Sequence, residues 1–233
     1  MKTATFLILA ATALGAATET RIRFDLSGPW RFEPGYNGFI GAEAVAYDDT
    51  KWTPVVIPHT WDSVSKVTLR PNAWYRKHFT IPESARGKRV YVYFEGVYAV
   101  ATVFVNGTRL GEHRGGYTAF VFDITQNSRV GADNVLAVMV SNAACVDCLP
   151  DAHLRFFNPY GGIYRNVSVI ITDPVHIATT HYASSGVYIT PLYSSPGYRI
   201  RVTAMTTNDT GQPSKVLIRH QIRDRSGKCF GSA

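Results

Sequence analysis

Apolar and polar positions alternate most clearly over residues 90–125. Residues 90–95 and 100–105 each alternate with a period of two, which is typical of β-strands. The second run is followed by Asn106-Gly107, a pair that tolerates positive φ at both central positions of a type I′ turn. Gly115-Gly116 marks a further change of direction before one more short strand. This stretch therefore predicts a β-hairpin that leads into a third strand.

Other segments have the same strand character. Residues 74–79 alternate, residues 134–140 are apolar on both faces and so predict a strand buried between layers, and residues 167–171 alternate again. No segment shows a convincing amphipathic helical pattern, and turns rich in Gly and Pro separate the apolar runs. About eight or nine short strands with such turns predict an all-β fold, an antiparallel sandwich, over residues 20–173.

The strand pattern starts again after residue 173. Short strands are predicted around residues 176–177 and 187–189, a clean alternation covers residues 198–204, and residues 215–219 predict another strand. Residues 174–233 therefore form a second β unit, which we expect to have an unpaired edge and an uncovered face.

The first residues carry the features of a secretory signal peptide. A Lys at position 2 precedes an apolar run, and small residues follow at positions 13, 15 and 17. We assign residues 1–17 to the signal peptide and expect a secreted or periplasmic protein. No run approaches the roughly 18 apolar residues of a membrane-spanning helix, so no membrane partner is expected.

Composition and charge narrow the function further. The chain has 12% aromatic and only 18% charged residues, which fits a strand-rich globular protein. The formal net charge is +7, but Lys and Arg are scattered among acidic residues without a basic run. Nucleic-acid binders cluster their basic residues, so we predict no nucleic-acid partner and interpret the charge as a solvated basic surface.

Three cysteines are an odd number for an exported chain. Cys145 and Cys148 are close enough in sequence for a local disulfide, or they are two thiols in a loop. A zinc site needs four ligands, and the remaining Cys229 is distant, so neither a metal nor another cofactor is expected. If Cys145 and Cys148 pair with each other, Cys229 has no further cysteine with which to form a disulfide in this chain.

Several motifs together resemble a known family. They are the segments 58–61 (PHTW), 74–77 (WYRK) and 161–165 (GGIYR), taken with the stretch 90–125. Over residues 24–172 the chain resembles the N-terminal sugar-binding domain of family 2 glycoside hydrolases, the β-galactosidase, β-mannosidase and β-glucuronidase group. The resemblance implies a jelly-roll sandwich for residues 20–173 and a truncated immunoglobulin-like sandwich for residues 174–233.

The resemblance also implies a function. Enzymes of this family are retaining glycosidases, which use two carboxyl groups about 5 Å apart. Both come from a (β/α)₈ barrel of roughly 250 residues, which this chain does not contain. We therefore expect no catalytic residue here. The expected partners are a β-glycoside carbohydrate and a catalytic barrel absent from this chain. The chain itself would be the N-terminal, non-catalytic portion of a glycoside hydrolase, as a truncated or fragmentary gene product.

The loop before residue 161 holds the candidate substrate contacts, which are Asp151, His153, Arg155 and Asn158. In the resembled family an acidic residue upstream of the Gly-Ile-Tyr-Arg motif projects into the neighbouring barrel. Arg155 stands at about that place here, unless a gap shifts Asp151 into it. An Arg would suit an acidic sugar better than a neutral one. Alternatively, Arg155 or Arg165 only braces the loop.

Two other functions stay open at the level of sequence. The chain could be a stand-alone secreted carbohydrate-binding module without hydrolase activity, or an interaction domain with no role in sugar binding. Other conspicuous side chains have structural explanations: we expect Trp61, Trp74 and Tyr117 to be core or turn anchors, and His59 and His113 to be structural.

Overall fold

The computed structural model describes residues 21–35, 41–61, 72–143, 160–194, 197–223 and 225–232. The expected signal peptide lies outside the described residues. Within them, every pairing between named strands is antiparallel. No helix among the described residues is long and apolar enough to cross a membrane. The predicted all-β, antiparallel fold is confirmed.

Two sheets form the first unit. The six-stranded sheet has the order β3-β2-β4-β9-β6-β7 and the four-stranded sheet has the order β1-β10-β5-β8. Their bounds are β1 Arg21–Asp25, β2 Pro29–Pro34, β3 Thr53–Val56, β4 Asn72–Thr80, β5 Arg89–Phe94, β6 Val100–Val105, β7 Thr108–Arg114, β8 Phe120–Asp123, β9 Asp133–Ser141 and β10 Val167–Thr172. A 3₁₀ turn, Glu83–Ala85, precedes β5.

A single large hydrophobic core lies between the two sheets. The four-stranded sheet contributes inward-facing residues such as Val92 and Val169, and the six-stranded sheet contributes residues such as Trp30 and Val138. This packing of two antiparallel sheets is the predicted jelly-roll sandwich. β9 lies between β4 and β6, and its Ala137 packs in a second, smaller cluster on the outer face. The predicted apolar character of β9 on both faces is thereby explained.

In the hairpin predicted for residues 90–125, the turn is at the predicted place, but the first predicted strand does not pair with the second. β6 and β7 pair around Asn106-Gly107, whose φ angles are 50° and 85°. The strand before them, β5, instead lies in the opposite sheet, where it pairs with β8 and β10. Period-two alternation indicates that a segment is a strand, but it does not indicate which sheet the strand joins. In a sandwich the chain can pass from one sheet to the other between consecutive strands.

A buried arginine holds the segment between β2 and β3 against the outer face of the six-stranded sheet. The side chain of Arg76 on β4 is fully buried, and its Nε lies 2.8 Å from Asp49 Oδ2. Its terminal nitrogens also donate hydrogen bonds to the backbone carbonyls of Ala42, Ala44 and Tyr47. One guanidinium thus satisfies several groups that would otherwise be buried without partners.

The second unit consists of three strand pairs. These are β11 Val175–Ile177 with β14 Thr206–Asn208, β12 Val187–Ser194 with β13 Gly197–Ala204, and β15 Gln221–Arg223 with β16 Cys229–Ser232. Polar contacts join this unit to the first: Arg89 Nε lies 3.1 Å from Asp209 Oδ2, and the Tyr91 hydroxyl lies 3.2 Å from His176 Nε2.

One predicted strand of the second unit is wrong. Residues 215–219 have no strand conformation, and Leu217 among them is 87% exposed. Its three central apolar residues are consecutive, so they do not alternate between two faces. A strand also needs a neighbour for its backbone hydrogen bonds, and no described strand pairs with this segment.

We predict that Gly107→Val destabilises the fold by about 1–3 kcal/mol, because a β-branched residue resists the positive φ of this turn. Thermal unfolding measures the effect. Gly197→Val is the matched control, since Gly197 lies in β13 with open space at its Cβ and no positive φ. Equal melting temperatures for the two variants would contradict the prediction.

We also predict that Arg76→Met lowers the free energy of unfolding by about 3–5 kcal/mol, because it leaves Asp49 buried without its cation. Denaturant unfolding measures this. The control is Arg86→Met, which breaks a pair with Glu83 in which both side chains are about two-thirds exposed; it should cost less than about 1 kcal/mol. Similar losses would refute a stabilising role for the buried pair.

Candidate functional site

The predicted substrate-contacting loop is described only at its end. Asp151, His153, Arg155 and Asn158 lie outside the described residues, as do Cys145 and Cys148. The structure places the residues that follow them, beginning at Tyr160. These residues run along one edge of the sandwich, and the site can be built from that edge.

Three motifs that are far apart in sequence meet at this edge. The backbone of Trp61 exchanges hydrogen bonds with Gly161 at 2.9 and 3.1 Å, and the N–H of His59 donates to the carbonyl of Ile163 at 2.8 Å. The backbone of Tyr98 exchanges two further bonds with Gly162, at 3.0 and 3.1 Å. The end of the predicted loop is therefore fixed between the segment 59–61 and the start of β6.

Glycine is required where these segments cross. A Cβ at Gly161 would overlap the ring of Trp61, and one at Gly162 would overlap the carbonyl oxygen of His59. Gly162 also has a φ of 135°, which L side chains rarely adopt. The pair of glycines thus permits a backbone approach that no other residue would allow.

Tyr75 supports the crossing from below. Its hydroxyl accepts a hydrogen bond from the Ile163 backbone and lies 2.8 Å from Nδ1 of His59. Burial raises the pKa of Tyr75 and lowers the pKa of His59. Both groups are therefore neutral near pH 7, and the Tyr75 hydroxyl can donate to an unprotonated Nδ1. The structural role expected of His59 agrees with this arrangement.

Four tyrosines cluster beside the glycine pair. The ring centroid of Tyr98 lies 5.1 Å from that of Tyr160 and 5.8 Å from that of Tyr117, and Tyr160 and Tyr164 are 5.4 Å apart. The Tyr164 hydroxyl donates to the carbonyl of Gly116 at 2.5 Å. This tyrosine cluster, Tyr98, Tyr117, Tyr160 and Tyr164, borders the described end of the predicted loop.

The hydroxyls of Tyr98, Tyr160 and Tyr164 have raised pKa values. Burial raises the pKa of Tyr160 to about 12, with a further contribution from the neighbouring Tyr117. Burial also raises the pKa of Tyr98 and of Tyr164. These three hydroxyls therefore stay protonated at neutral pH, and each can both donate and accept hydrogen bonds.

The three side chains expected to be core or turn anchors divide into two groups. Trp61 and Trp74 are buried, as predicted, in the main core and in the outer cluster. Tyr117 is 58% exposed, so it is not a core residue, and of the two expected roles the turn anchor is the one that fits. It lies in the bend between β7 and β8, directly after Gly115-Gly116, and the turn signal in the sequence was compatible with an outward-facing ring.

The chain matches one protein family over more than half its length. The model for the sugar-binding domain of glycosyl hydrolases family 2 matches residues 41–174. The chain belongs to glycosyl hydrolase family 2. It corresponds to the N-terminal part of such enzymes, and the resemblance seen in the sequence is confirmed.

Individual family 2 relatives agree with this assignment. A β-galactosidase of Thermoanaerobacter pseudethanolicus is 40% identical over 142 residues, covering 58% of this chain and 19% of the relative. A β-glucuronidase of Bacteroides fragilis is 40% identical over 147 residues, covering 61% and 21%. The crystal structure of a Bacteroides uniformis β-glucuronidase superposes with a TM-score of 0.81 at 29% identity, covering 91% of this chain and 25% of that one. The chain thus spans about a fifth to a quarter of these relatives.

Two carboxylates among the described residues of this family 2 domain, Glu95 and Asp123, are engaged in structural contacts. Glu95 pairs with Arg23 at 3.0 Å. Asp123 pairs with Arg89 and accepts a hydrogen bond from the backbone N–H of Thr125 at 2.9 Å, as carboxylates in turns commonly do. Among the described residues no group of three or more His, Cys, Asp or Glu side chains could hold a metal ion.

We predict that stability falls as the pH drops below about 6.5. Burial lowers the pKa of His59 and of His113, so each histidine binds a proton more readily in the unfolded chain than in the folded one. Their contribution to the free energy of unfolding is fully present above the pKa of the unfolded chain, and it is lost as the pH falls toward the lower pKa values of the folded chain. His59→Asn keeps an acceptor for Tyr75 but does not titrate. The free energy of unfolding should depend less steeply on pH in this variant between about pH 6.5 and 5. An unchanged slope would contradict the role of His59.

Proposed function

We propose that this chain supplies the sugar-binding, non-catalytic portion of a hydrolase that acts on β-glycosides, with the reaction itself carried out in a (β/α)₈ barrel. The observation that carries the proposal is the convergence of segments 58–61, 74–77 and 161–165 at one edge of the sandwich. Membership of family 2 supports it, as do relatives named β-galactosidase and β-glucuronidase. The signal-like residues 1–17 support export of the protein.

The same proposal assigns the loop before Tyr160 to substrate contact. Asp151, His153, Arg155 and Asn158 supply charged and hydrogen-bonding groups of the kind that fix sugar hydroxyls. The backbone bonds of Gly161 and Gly162 support this role, because they fix the position from which the loop leaves the sandwich. Arg155 would pair with the carboxylate of an acidic sugar.

Calorimetry on the full 233-residue chain tests the proposal. We expect methyl β-D-galactoside or methyl β-D-glucuronide to give a binding isotherm at concentrations on the order of millimolar. We expect no release of nitrophenol from the matching nitrophenyl glycosides, since the proposal places both catalytic carboxyls elsewhere. Absence of binding by both sugars would overturn the sugar-binding role.

Arg155→Met should weaken binding of the glucuronide more than that of the galactoside, because only the glucuronide carries a carboxylate. Arg199→Met, at an exposed position of β13, is the matched control and should change neither affinity. Equal effects of Arg155→Met on the two sugars would remove the carboxylate-pairing role and leave the binding role of the domain intact.

A further inference from the structure

Tyr117 is an exposed aromatic side chain held in a fixed position. The residue is 58% exposed, although it lies between buried Gly116 and buried Phe120 in the bend that joins β7 to β8. Single exposed aromatic residues are common on protein surfaces and need no special explanation. Tyr117 differs from those because its neighbours fix its orientation.

The bend places the ring on the tyrosine cluster. The ring of Tyr117 meets that of Tyr98 edge to face at 5.8 Å, and Tyr117 is near enough to Tyr160 to contribute to the raised pKa of that tyrosine. The preceding Gly116 is in contact with Tyr98, since a Cβ there would overlap the Tyr98 ring. Its carbonyl is held in turn by the Tyr164 hydroxyl. Little rotamer entropy is therefore left to lose when a ligand settles on this ring.

The chemistry of this surface fits a pyranose. A sugar ring has a face of C–H groups and an edge of hydroxyls. Tyr117 offers an apolar ring face to the first, and the hydroxyls of Tyr117 and Tyr160 can bond the second. The neighbouring Thr118 and Arg165 are exposed and polar. A protein partner of ordinary size would need a wider apolar patch around the ring, whereas one sugar ring needs only this area.

We propose that Tyr117 is the stacking residue of the sugar site in this domain, and that the Tyr160 hydroxyl bonds the rim of the bound pyranose. The ligand class is a β-linked pyranoside, so this inference rests on the function proposed above and deepens it. The tyrosine cluster then has a division of roles: Tyr98 and Tyr164 position the bend, and Tyr117 and Tyr160 contact the sugar.

Two variants separate stacking from hydrogen bonding. In calorimetry on the full chain with methyl β-D-galactoside and methyl β-D-glucuronide, Tyr117→Ala should weaken binding by about tenfold, and Tyr117→Phe, which keeps the ring, by less than about threefold. Tyr193→Ala is the matched control, because Tyr193 in β12 is 73% exposed in the second unit. It should leave the affinity unchanged.

A second measurement needs no destabilising variant. With 3-fluorotyrosine in place of the 13 tyrosines, the ¹⁹F resonance that disappears in Tyr117→Phe belongs to Tyr117. It should shift when either sugar is titrated into the otherwise unaltered chain, whereas the Tyr193 resonance, assigned in the same way, should not.

The outcomes distinguish the inference from the function on which it rests. If the chain binds sugar but Tyr117→Ala binds equally well, or the Tyr117 resonance does not move, the stacking role is wrong and the sugar-binding function stands. If neither sugar binds the wild-type chain, both proposals fall together.

Discussion

The close approach of Gly161 and Gly162 to the segment 59–61 and to Tyr98 is the constraint on which the candidate site depends. The bonds at this crossing join residues that are 64 to 104 positions apart in sequence, and they require two positions without side chains. A larger residue at either place would displace Trp61 or the backbone at His59. The tyrosine cluster would then lose the fixed edge against which Tyr160 and Tyr164 lie.

β4 links this crossing to the rest of the sandwich. Because successive residues of a strand face opposite sides, Tyr75 points to the inner core and reaches Ile163, while Trp74 and Arg76 point outward. Arg76 then holds the segment between β2 and β3 through Asp49 and three carbonyls. The segment 74–77 thereby contributes side chains both to the core between the sheets and to the outer face of the six-stranded sheet. This is a physical reason for its particular order of residues.

The sequence was sufficient for the fold class and for much of the strand pattern. The turn at Asn106-Gly107 and the two-sided apolar strand β9 followed from local rules, because positive φ and side-chain period are properties of short segments. The position of β5 in the opposite sheet could not be predicted from local sequence, since it depends on which strands of the whole chain pair with one another. The burial of Arg76 was also missed, because an arginine in an alternating strand has the same pattern whether solvent or a folded-back segment covers it.

The candidate site was predictable only in part, for a related reason. The three motifs marked its position, but the exposure of Tyr117 depends on how the bend after β7 lies against Tyr98. What the described residues offer there is suited to binding rather than to proton transfer. A group that exchanges protons efficiently has a pKa near the working pH, and Tyr160, with a pKa raised to about 12, is far from it. Glu95 and Asp123 are committed to ion pairs with arginines. Retaining hydrolysis needs two carboxyl groups facing one glycosidic bond. The chemistry of the described part of this edge therefore supports the proposed role in sugar binding.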